Sequence, residues 1–230
     1  MTKRDVGVII AAGGTGSRTG SAELKQFRWI AGKPMLLHSL QRLQQRADVA
    51  MVVCVLPREY VADPPPWIFQ CDTDRLLLSP GGPERQQSVV NGMEDLPAEC
   101  EVIVVHDAAR PFFTDATADA VIAAARNGNC AVPVIPIADT VKQLDAEKRI
   151  VATVDRSGLW RVQTPQAFPR DLLERAHGSA MNDGVAASDD SALCERLGFP
   201  CVGVPGSERA VKITTESDFT LAESLSILGG

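Results

Sequence analysis

Apolar runs of strand length alternate with stretches of helical period along most of the chain. Apolar runs predict strands at Val6–Ala11, Val49–Leu56, Leu76–Leu78, Val102–Val105 and Ala131–Ile135. Shorter, mainly apolar segments predict further strands at Leu159–Val162, Cys201–Val204 and Val211–Thr214. Apolar residues at helical spacing predict helices through Met35–Leu43, Glu84–Leu96, Thr114–Arg126, Arg170–Ala176, Ser188–Leu197 and Glu216–Leu228. Strands without a polar face, separated by helices, are typical of a mainly parallel sheet covered on both sides. The pattern therefore predicts an α/β fold with a doubly wound sheet.

One stretch breaks this alternation. Thr140–Leu144 and Ile150–Val154 are two short strands around the polar turn Asp145–Lys148, which predicts a hairpin. A hairpin inserted into an α/β domain serves either as an arm against a second subunit or as a local lid. No repeat, linker or low-complexity tract interrupts the sequence, so we expect one domain over residues 1–230 with an arm over residues 139–158.

Composition narrows the class of partner. Hydrophobic residues make up 45% of the chain and charged residues 23%, which is ordinary for a globular protein and argues against disorder. The net charge of -6 disfavours nucleic acid, which needs a basic face, but allows a small phosphorylated ligand held by a few local cations. Six cysteines lie far apart without zinc-finger spacing, so we expect reduced thiols in a cytoplasmic protein. No apolar run approaches the ~20 residues of a membrane span, so we expect no membrane partner.

A glycine-rich loop follows the first predicted strand, with the sequence Ala-Ala-Gly-Gly-Thr-Gly-Ser-Arg from Ala11 to Arg18. Glycines let the backbone approach an anion closely, and successive N–H groups can form a concave phosphate site. The loop lacks both the Gly-Lys-Ser/Thr ending of a P-loop and the third glycine of a dinucleotide fingerprint. Arg18 at its end and Lys25 shortly after it are two cations beside the loop, which indicates a polyphosphate ligand. An ordinary glycine-rich turn is the alternative.

Two further positions stand out by pattern. Asp107 follows the fourth predicted strand, at the edge where ligands collect in open α/β sheets; a turn or helix-capping aspartate is the alternative. Lys212 lies between Val211 and Ile213 in a predicted strand. Because successive side chains of a strand point to opposite faces, we expect Lys212 to point away from its apolar neighbours and into a cleft.

Several motifs resemble those of a known family. The loop residues Ala11-Ala12-Gly13 and Gly16-Ser17-Arg18, followed by Lys25-Gln26, resemble the nucleotide-binding signature of the sugar-phosphate nucleotidyltransferases. Further matching segments are His106-Asp107-Ala108-Ala109-Arg110-Pro111, Gly81-Gly82, Glu84-Arg85, Ser88, Asp139-Thr140-Val141-Lys142, Asp155-Arg156, Gly158-Leu159-Trp160, Thr164-Pro165-Gln166 and Lys212-Ile213-Thr214. Together, and over nearly the whole chain, they resemble the 2-C-methyl-D-erythritol 4-phosphate cytidylyltransferases of the non-mevalonate isoprenoid pathway.

The resemblance implies an activity and an assembly. The activity is transfer of CMP from CTP to the 4-phosphate of methylerythritol, with release of pyrophosphate and with Mg²⁺ as cofactor. The fold implied is a Rossmann-like nucleotidyltransferase domain, usually a homodimer whose β-arms interlock. The attacking phosphate is already an anion, so the reaction needs charge stabilisation rather than a general base. His106 is accordingly expected to be a packed histidine.

The resemblance also implies the residues of the site. The catalytic cations around the triphosphate would be Arg18, Lys25 and Lys212. The nucleotide would be bound by Ala11, Ala12, Gly13, Gly16, Gly82, Ser88 and Ala108, with cytosine read mainly by main-chain groups and by the Ser88 hydroxyl. The acceptor would be bound by Asp107, Arg110, Arg156, Thr164 and Ser188. Asp107 would also hold Mg²⁺, Glu208 is the candidate for a second carboxylate, and Arg156 would reach the neighbouring subunit's site.

Two other functions fit many of the same features. A sister activity, cytidylyl transfer to ribitol 5-phosphate or another polyol phosphate, shares most of the motifs. A catalytically silent nucleotide-binding domain on the same fold is the rival from another class. The joint presence of Arg18, Lys25, Asp107 and Lys212 favours an enzyme, because a domain that only binds nucleotide needs no cage of charge around the α-phosphate.

Overall fold

A twisted central sheet organises the computed structural model, which describes residues 3–14 and 24–227 of the chain. The strands within these residues are β1 (Val6–Ala11), β2 (Trp29–Ile30), β3 (Lys33–Pro34), β4 (Val49–Leu56), β5 (Leu76–Pro80), β6 (Val102–Asp107), β7 (Cys130–Pro136), β8 (Val141–Leu144), β9 (Ile150–Val154), β10 (Trp160–Val162), β11 (Gln166–Pro169) and β12 (Cys201–Pro205). The helices are α1 (Met35–Gln44), α2 (Arg58–Ala62), α3 (Arg85–Asp95), α4 (Asp115–Arg126), α5 (Arg170–Asn182), α6 (Asp190–Arg196) and α7 (Glu216–Ile227). Short 3₁₀ turns occupy Lys25–Phe27, Pro66–Gln70 and Thr73–Arg75.

The sheet is mainly parallel, as the apolar pattern predicts. Its strand order is β10-β7-β11-β6-β1-β4-β5, and β12 also pairs with β7. β1 runs parallel to both β4 and β6, β4 runs parallel to β5, and β12 runs parallel to β7. β10 and β11 run antiparallel to their neighbours. The α/β, doubly wound architecture predicted from the sequence is confirmed, with β11 as an additional central strand.

Helices cover both faces of this sheet. Val8 and Ile10 of β1 are fully buried in one core, which also contains the apolar faces of α1 and α4. Ile9, between them, lies in a second core with residues of α3, α5 and α6. Because alternate residues of one strand enter opposite cores, β1 has no polar face, and its sequence is an uninterrupted apolar run.

Most predicted elements are present with boundaries shifted by a few residues, but the last predicted strand is wrong. Val211–Thr214 has no regular secondary structure and no strand pairing. Helix α6 begins at Asp190, two residues after its predicted start, because Asp189 occupies the N-cap and its side chain accepts from the Ala192 amide. Ser188 is therefore an exposed residue before the cap.

The predicted hairpin forms a small sheet of its own. β8 pairs antiparallel with β9, from Val141 opposite Val154 to Leu144 opposite Ile150. Most of its residues are exposed, including Ile150 at 66% and Val151 at 60%. We call residues 139–158 the arm.

The helices and the cysteines can be compared with the predictions of no membrane span and of reduced thiols. None of the helices in the described ranges has the length and apolar character needed to cross a bilayer. All six cysteines are free thiols, four of them buried and two partly buried, as the spacing of the cysteines predicts.

Candidate active site

The carboxyl ends of neighbouring strands create a cavity beside the glycine-rich loop. Ala11 at the end of β1 is paired with Asp107 at the end of β6, and the segment after β5 lies on the other side. The cavity has a volume of about 490 Å³. The described residues lining it are Ala11, Ala12, Gly13, Gly14, Lys25, Gln26, Gly82, Pro83, Glu84, Arg85, Ser88, Asp107, Ala109 and Lys212. The edge at which it lies is the one expected of an open α/β sheet.

Asp107 is the charged centre of this cavity. Lys212 Nζ lies 2.7 Å from Asp107 Oδ2, and Arg85 Nε lies 3.3 Å from Oδ1. Burial raises the pKa of the Asp107 carboxyl, but Arg85 and Lys212 outweigh burial and hold this pKa well below its usual value. The carboxylate is therefore ionised at every physiological pH, and two cations neutralise it.

Lys212 reaches Asp107 although it is not in a strand. Ile213 is fully buried, and its amide donates to the carbonyl of Ala109 at 2.9 Å. Lys212 lines the cavity, so its side chain points away from the buried side chain of Ile213. The expected direction of the side chain is thus found, while the strand expected to produce it is absent.

Lys25 and Gln26 enter the cavity from a 3₁₀ turn. The turn is anchored by Phe27, whose ring packs edge-on against Tyr60 and Trp67, with ring centroids 4.8 Å and 5.3 Å apart. Gln26 Nε2 donates to the carbonyls of Ala12 at 2.7 Å and Gly14 at 3.0 Å. Gln26 therefore fixes the first part of the glycine-rich loop, and Lys25 lines the cavity beside it.

The segment after β5 approaches this loop closely. A Cβ on Gly13 would lie 3.2 Å from the Cα of Gly81, so the two backbones touch where a side chain would separate them. The Gly82 amide donates to Ser88 Oγ at 3.1 Å, and the Ser88 hydroxyl donates to the Glu84 carbonyl at 3.1 Å. The Ser88 proton is therefore used within the protein, and its oxygen holds the Gly82 amide in place.

Main-chain groups predicted to read cytosine already have partners within the protein. The Ala12 amide donates to the Val55 carbonyl at 2.9 Å, and the Ala11 carbonyl accepts from the Ala108 amide at 3.3 Å. A base would therefore have to use the second lone pair of the Ala11 carbonyl oxygen. Ala108 is buried behind the cavity, and the residue that lines the cavity is its neighbour Ala109.

Thr164 lies behind Asp107 instead of in the cavity. Its Oγ1 accepts from the Asp107 amide at 3.0 Å and lies 3.1 Å from His106 Nδ1. His106 is fully buried, and its Nε2 lies 3.1 Å from Ser39 Oγ. Burial lowers the pKa of His106 to about 4. The packed histidine expected from the sequence is what the structure contains, and Thr164 holds the Asp107 backbone.

Arg110 is held by backbone carbonyls outside the cavity. Its guanidinium donates to the carbonyls of Ala210 at 2.7 Å and Val162 at 3.4 Å, while its buried Nε has no partner among the described residues. Arg156 on the arm is exposed and donates to the Ile137 carbonyl at 3.1 Å. Neither of them, nor Ser188, lines the cavity.

Arg18 and Gly16 lie outside the described residues. Glu208, the candidate second carboxylate, pairs with Arg161 Nη2 at 2.9 Å and does not line the cavity. Within residues 3–14 and 24–227 no cluster of three His, Cys, Asp or Glu side chains is arranged to bind a metal.

The sequence interpretation missed three residues that hold the site. Arg85 and Gln26 stand in the matching motifs, but their contacts to Asp107 and to the loop carbonyls had no sequence signal. Asp190 had one: it shares a helical face with Leu193 and Cys194, both buried, so its carboxylate also points inward. In the structure it accepts from Arg85 Nη1 at 2.7 Å.

Comparison with known proteins gives a consistent result. The family model described as 2-C-methyl-D-erythritol 4-phosphate cytidylyltransferase matches residues 6–227. A curated protein of that name from Syntrophus aciditrophicus is 40% identical to this chain, and the alignment covers 96% of each protein. The one from Streptomyces coelicolor is also 40% identical, over 94% of this chain and 83% of the relative. The crystal structure of the Thermus thermophilus protein of that name superimposes with a TM-score of 0.81 at 34% identity, over 96% of this chain and 98% of the other. The chain belongs to the 2-C-methyl-D-erythritol 4-phosphate cytidylyltransferase family.

Proposed function

We propose that the protein transfers CMP from CTP to 2-C-methyl-D-erythritol 4-phosphate and releases pyrophosphate. The observation that carries the proposal is the cavity in which the first loop residues, Ala11–Gly14, converge with Lys25, Lys212 and the ionised Asp107. Family membership over nearly the whole chain supports the same substrates. The six free cysteines fit the expected cytoplasmic location.

The reaction requires two anions to approach each other. An oxygen of the acceptor phosphate forms a bond to the α-phosphorus of CTP, and the bond from that phosphorus to the bridging oxygen breaks as pyrophosphate leaves. No proton has to be removed from the acceptor. His106 is buried behind Asp107 with a pKa of about 4, so it has no part in the transfer. Catalysis rests on charge and orientation.

Lys25, Lys212 and Arg18 supply the positive charge. Lys25 lines the cavity beside the loop that receives the phosphates, and Arg18 is assigned by its motif alone. Lys212 is 44% exposed, so its ammonium can leave Asp107 and bind the α-phosphate. Cations fixed in advance around a reacting phosphate contribute several kcal/mol, roughly the effect of an oxyanion-hole donor.

The donor set fits Mg²⁺ that arrives with the nucleotide. Mg²⁺ keeps several waters and is usually bound by one or two carboxylates together with substrate phosphates. Asp107 is ionised and lines the cavity, and a dedicated cage of three acidic or imidazole ligands is absent from the described part of the chain. Asp107 would therefore be the protein ligand. When bound, the ion adds positive charge next to the phosphate oxygens.

The acceptor residues are assigned by the family resemblance. Arg110 does not line the cavity, but its buried Nε has no partner among the described residues, and its charge would attract the acceptor phosphate. Ser188 would supply a hydroxyl, although it does not line the cavity either, while Thr164 acts through Asp107. Arg156 is exposed on the arm and does not line its own cavity, so we assign it to the site of a second subunit.

A homodimer formed through the arm would bring Arg156 to that site. A two-stranded hairpin is marginal by itself in water, and this one exposes Ile150, Val151 and Leu144. Apolar side chains on both faces of an exposed hairpin are stabilised when a second copy covers them.

The test is product formation from purified protein, CTP, Mg²⁺ and methylerythritol phosphate. We expect equal amounts of pyrophosphate and of a cytidine diphosphate ester, identified by ³¹P NMR, and much slower turnover with ATP, GTP or UTP. Binding of CTP without any product would support the silent nucleotide-binding domain instead.

A further inference from the structure

A chain of hydrogen-bonded ionisable side chains runs from the cavity into the interior. It begins at Lys212, passes through Asp107 to Arg85, continues to Asp190 and ends at His177. Arg85 Nη1 lies 2.7 Å from Asp190 Oδ2, and His177 Nε2 lies 3.0 Å from Asp190 Oδ1. The outer members line the cavity, whereas the inner two, Asp190 and His177, are almost completely buried.

Asp190 is a buried carboxylate that does not cap its helix. It is 1% exposed, and the capping bond of α6 is made by Asp189 instead. A charge buried in this way strongly destabilises a protein unless it is paired and hydrogen-bonded. The two oxygens of Asp190 each have a partner, Arg85 and His177, so the position of Asp190 is defined by those two residues.

Arg85 bridges two carboxylates with two different nitrogens. Its Nη1 makes the shorter contact, to the deep Asp190, and its Nε makes the longer contact of 3.3 Å, to Asp107 at the cavity. Lys212, by contrast, has Asp107 as its one carboxylate partner among residues 3–14 and 24–227, and its side chain is 44% exposed. Of the two cations on Asp107, Arg85 is therefore anchored and Lys212 is able to move.

We propose that Asp190 is a positioning residue for the nucleotide and its metal, acting through Arg85. By anchoring Arg85, it keeps Oδ1 of Asp107 occupied, so that Oδ2 is the oxygen released to the Mg²⁺–nucleotide when Lys212 turns to the α-phosphate. Arg85 then stays behind as the fixed counter-charge of Asp107. This inference rests on the proposed function, because it assigns Asp107 to a Mg²⁺–CTP complex.

The test compares Asp190→Asn with Asp189→Asn, a neighbouring change at the N-cap. Binding of CTP with Mg²⁺ is measured by calorimetry without acceptor, so the readout does not depend on turnover. We expect Asp190→Asn to weaken this affinity about tenfold or more, the change associated with loss of one charge-assisted hydrogen bond. Asp189→Asn should change the affinity less than about twofold, because an asparagine also caps helices.

A double variant shows whether Asp190 acts through Arg85. If it does, Asp190→Asn adds nothing to the loss caused by Arg85→Gln, and the two effects are non-additive. KM for the acceptor should change much less than the affinity for Mg²⁺–CTP. Additive losses, or a normal affinity for Mg²⁺–CTP in a folded Asp190→Asn protein, would overturn the inference.

A second variant covers the case in which Asp190→Asn does not fold. Arg85→Lys retains a cation for Asp190, but an ammonium has no second fixed nitrogen for Asp107. The same loss of Mg²⁺–CTP affinity is expected, and an unchanged affinity would contradict the inference. Failure of the wild-type protein to bind Mg²⁺–CTP would overturn both this inference and the proposed function, whereas a fully active wild type with unaffected variants would overturn the inference alone.

Discussion

Asp107 shows how a single residue can be prepared for a ligand before the ligand arrives. Its carboxylate is mostly buried, which alone would favour the protonated form, yet Arg85 and Lys212 keep it ionised. An ionised carboxylate next to a mobile ammonium can exchange that partner for a metal ion without changing its own charge. The site can therefore bind a phosphate and a metal with little reorganisation of charge.

Lys25→Ala tests the charge around the triphosphate. Lys25 lines the cavity from an anchored turn, so its removal should lower kcat/KM for CTP by about 10²-fold or more. The melting temperature should stay close to that of the wild type, because the ring contacts of Phe27 anchor the turn. Lys33→Ala, a lysine outside this cavity, is the matched control and should retain its turnover. Near-normal turnover of Lys25→Ala would remove Lys25 from the site.

His106 predicts a pH dependence of stability. Its pKa is about 4 in the folded protein and near 6.5 when unfolded, so between these values the unfolded chain binds more protons. The free energy of unfolding should therefore fall as the pH drops from 6.5 to 4, by about 3 kcal/mol for this residue. Urea unfolding with EDTA present, compared between wild type and His106→Gln, isolates the contribution.

Acid titration of carboxylates lowers the stability of both proteins and cancels in that difference. His38→Gln, a change at a half-buried histidine, should remove a smaller part of the slope, because burial lowers the His38 pKa less completely. Identical pH profiles for wild type and His106→Gln would contradict the buried, neutral state of His106.

At the level of single residues the sequence predicts positions better than partners. Lys212 is identified because alternation with buried neighbours gives its direction, and Asp107 because the strand before it ends there. Arg85 contacts residues 22 and 105 positions away along the chain, and Gln26 contacts residues 12 and 14 positions away. No local period records such contacts. Asp190 does follow the helical period of α6, because Leu193 and Cys194 lie on the same buried face.

At the level of elements, β11 shows what local patterns miss. Gln166–Pro169 contains a glutamine and ends in proline, so it has no apolar run, yet it lies between β6 and β7 in the sheet. After the arm the chain returns in the opposite direction, which makes β11 antiparallel to both neighbours. Val211–Thr214 is the opposite case, a segment with the pattern of a strand that forms none. Its pattern reflects the burial of Ile213, and the segment has no strand partner.

A substitution on the arm tests whether the arm forms the dimer interface. Val151 is 60% exposed in the single chain, so Val151→Asp should leave the fold of one protomer intact. It should nevertheless shift the protein from dimer to monomer in sedimentation velocity, because a charge would be buried at the arm interface. Glu147→Ala at the tip of the arm is the control and should stay dimeric. A wild-type monomer, or a dimeric Val151→Asp, would contradict an arm-mediated dimer.

For the whole molecule, the central issue is whether one site draws on two chains. We assign Lys25 to its own cavity and Arg156 to the cavity of the partner. Arg156→Ala should therefore mainly raise KM for the acceptor, and a change confined to CTP would contradict the assignment. The net charge of -6 is compatible with binding of these anionic substrates, because the cations act locally at the cavity.

Mixing the Lys25→Ala and Arg156→Ala variants, both impaired at low acceptor concentration, tests this arrangement. In a refolded equimolar mixture of Lys25→Ala and Arg156→Ala, half of the dimers are mixed, and each mixed dimer has one complete site. At low acceptor concentration the mixture should thus regain about a quarter of the wild-type activity if subunits assort at random. Activity no higher than the average of the separate variants would show that Arg156 serves its own subunit.

The measurement that tests the central claim most directly is kcat/KM with CTP and Mg²⁺ for two acceptors in parallel, 2-C-methyl-D-erythritol 4-phosphate and ribitol 5-phosphate. We expect pyrophosphate release with the first to exceed that with the second by about 10²-fold or more, since a site built around one set of hydroxyls rejects a differently shaped polyol. Preference for ribitol phosphate would keep the fold and the cation cage and overturn the acceptor. No pyrophosphate with either acceptor would contradict the proposed activity itself.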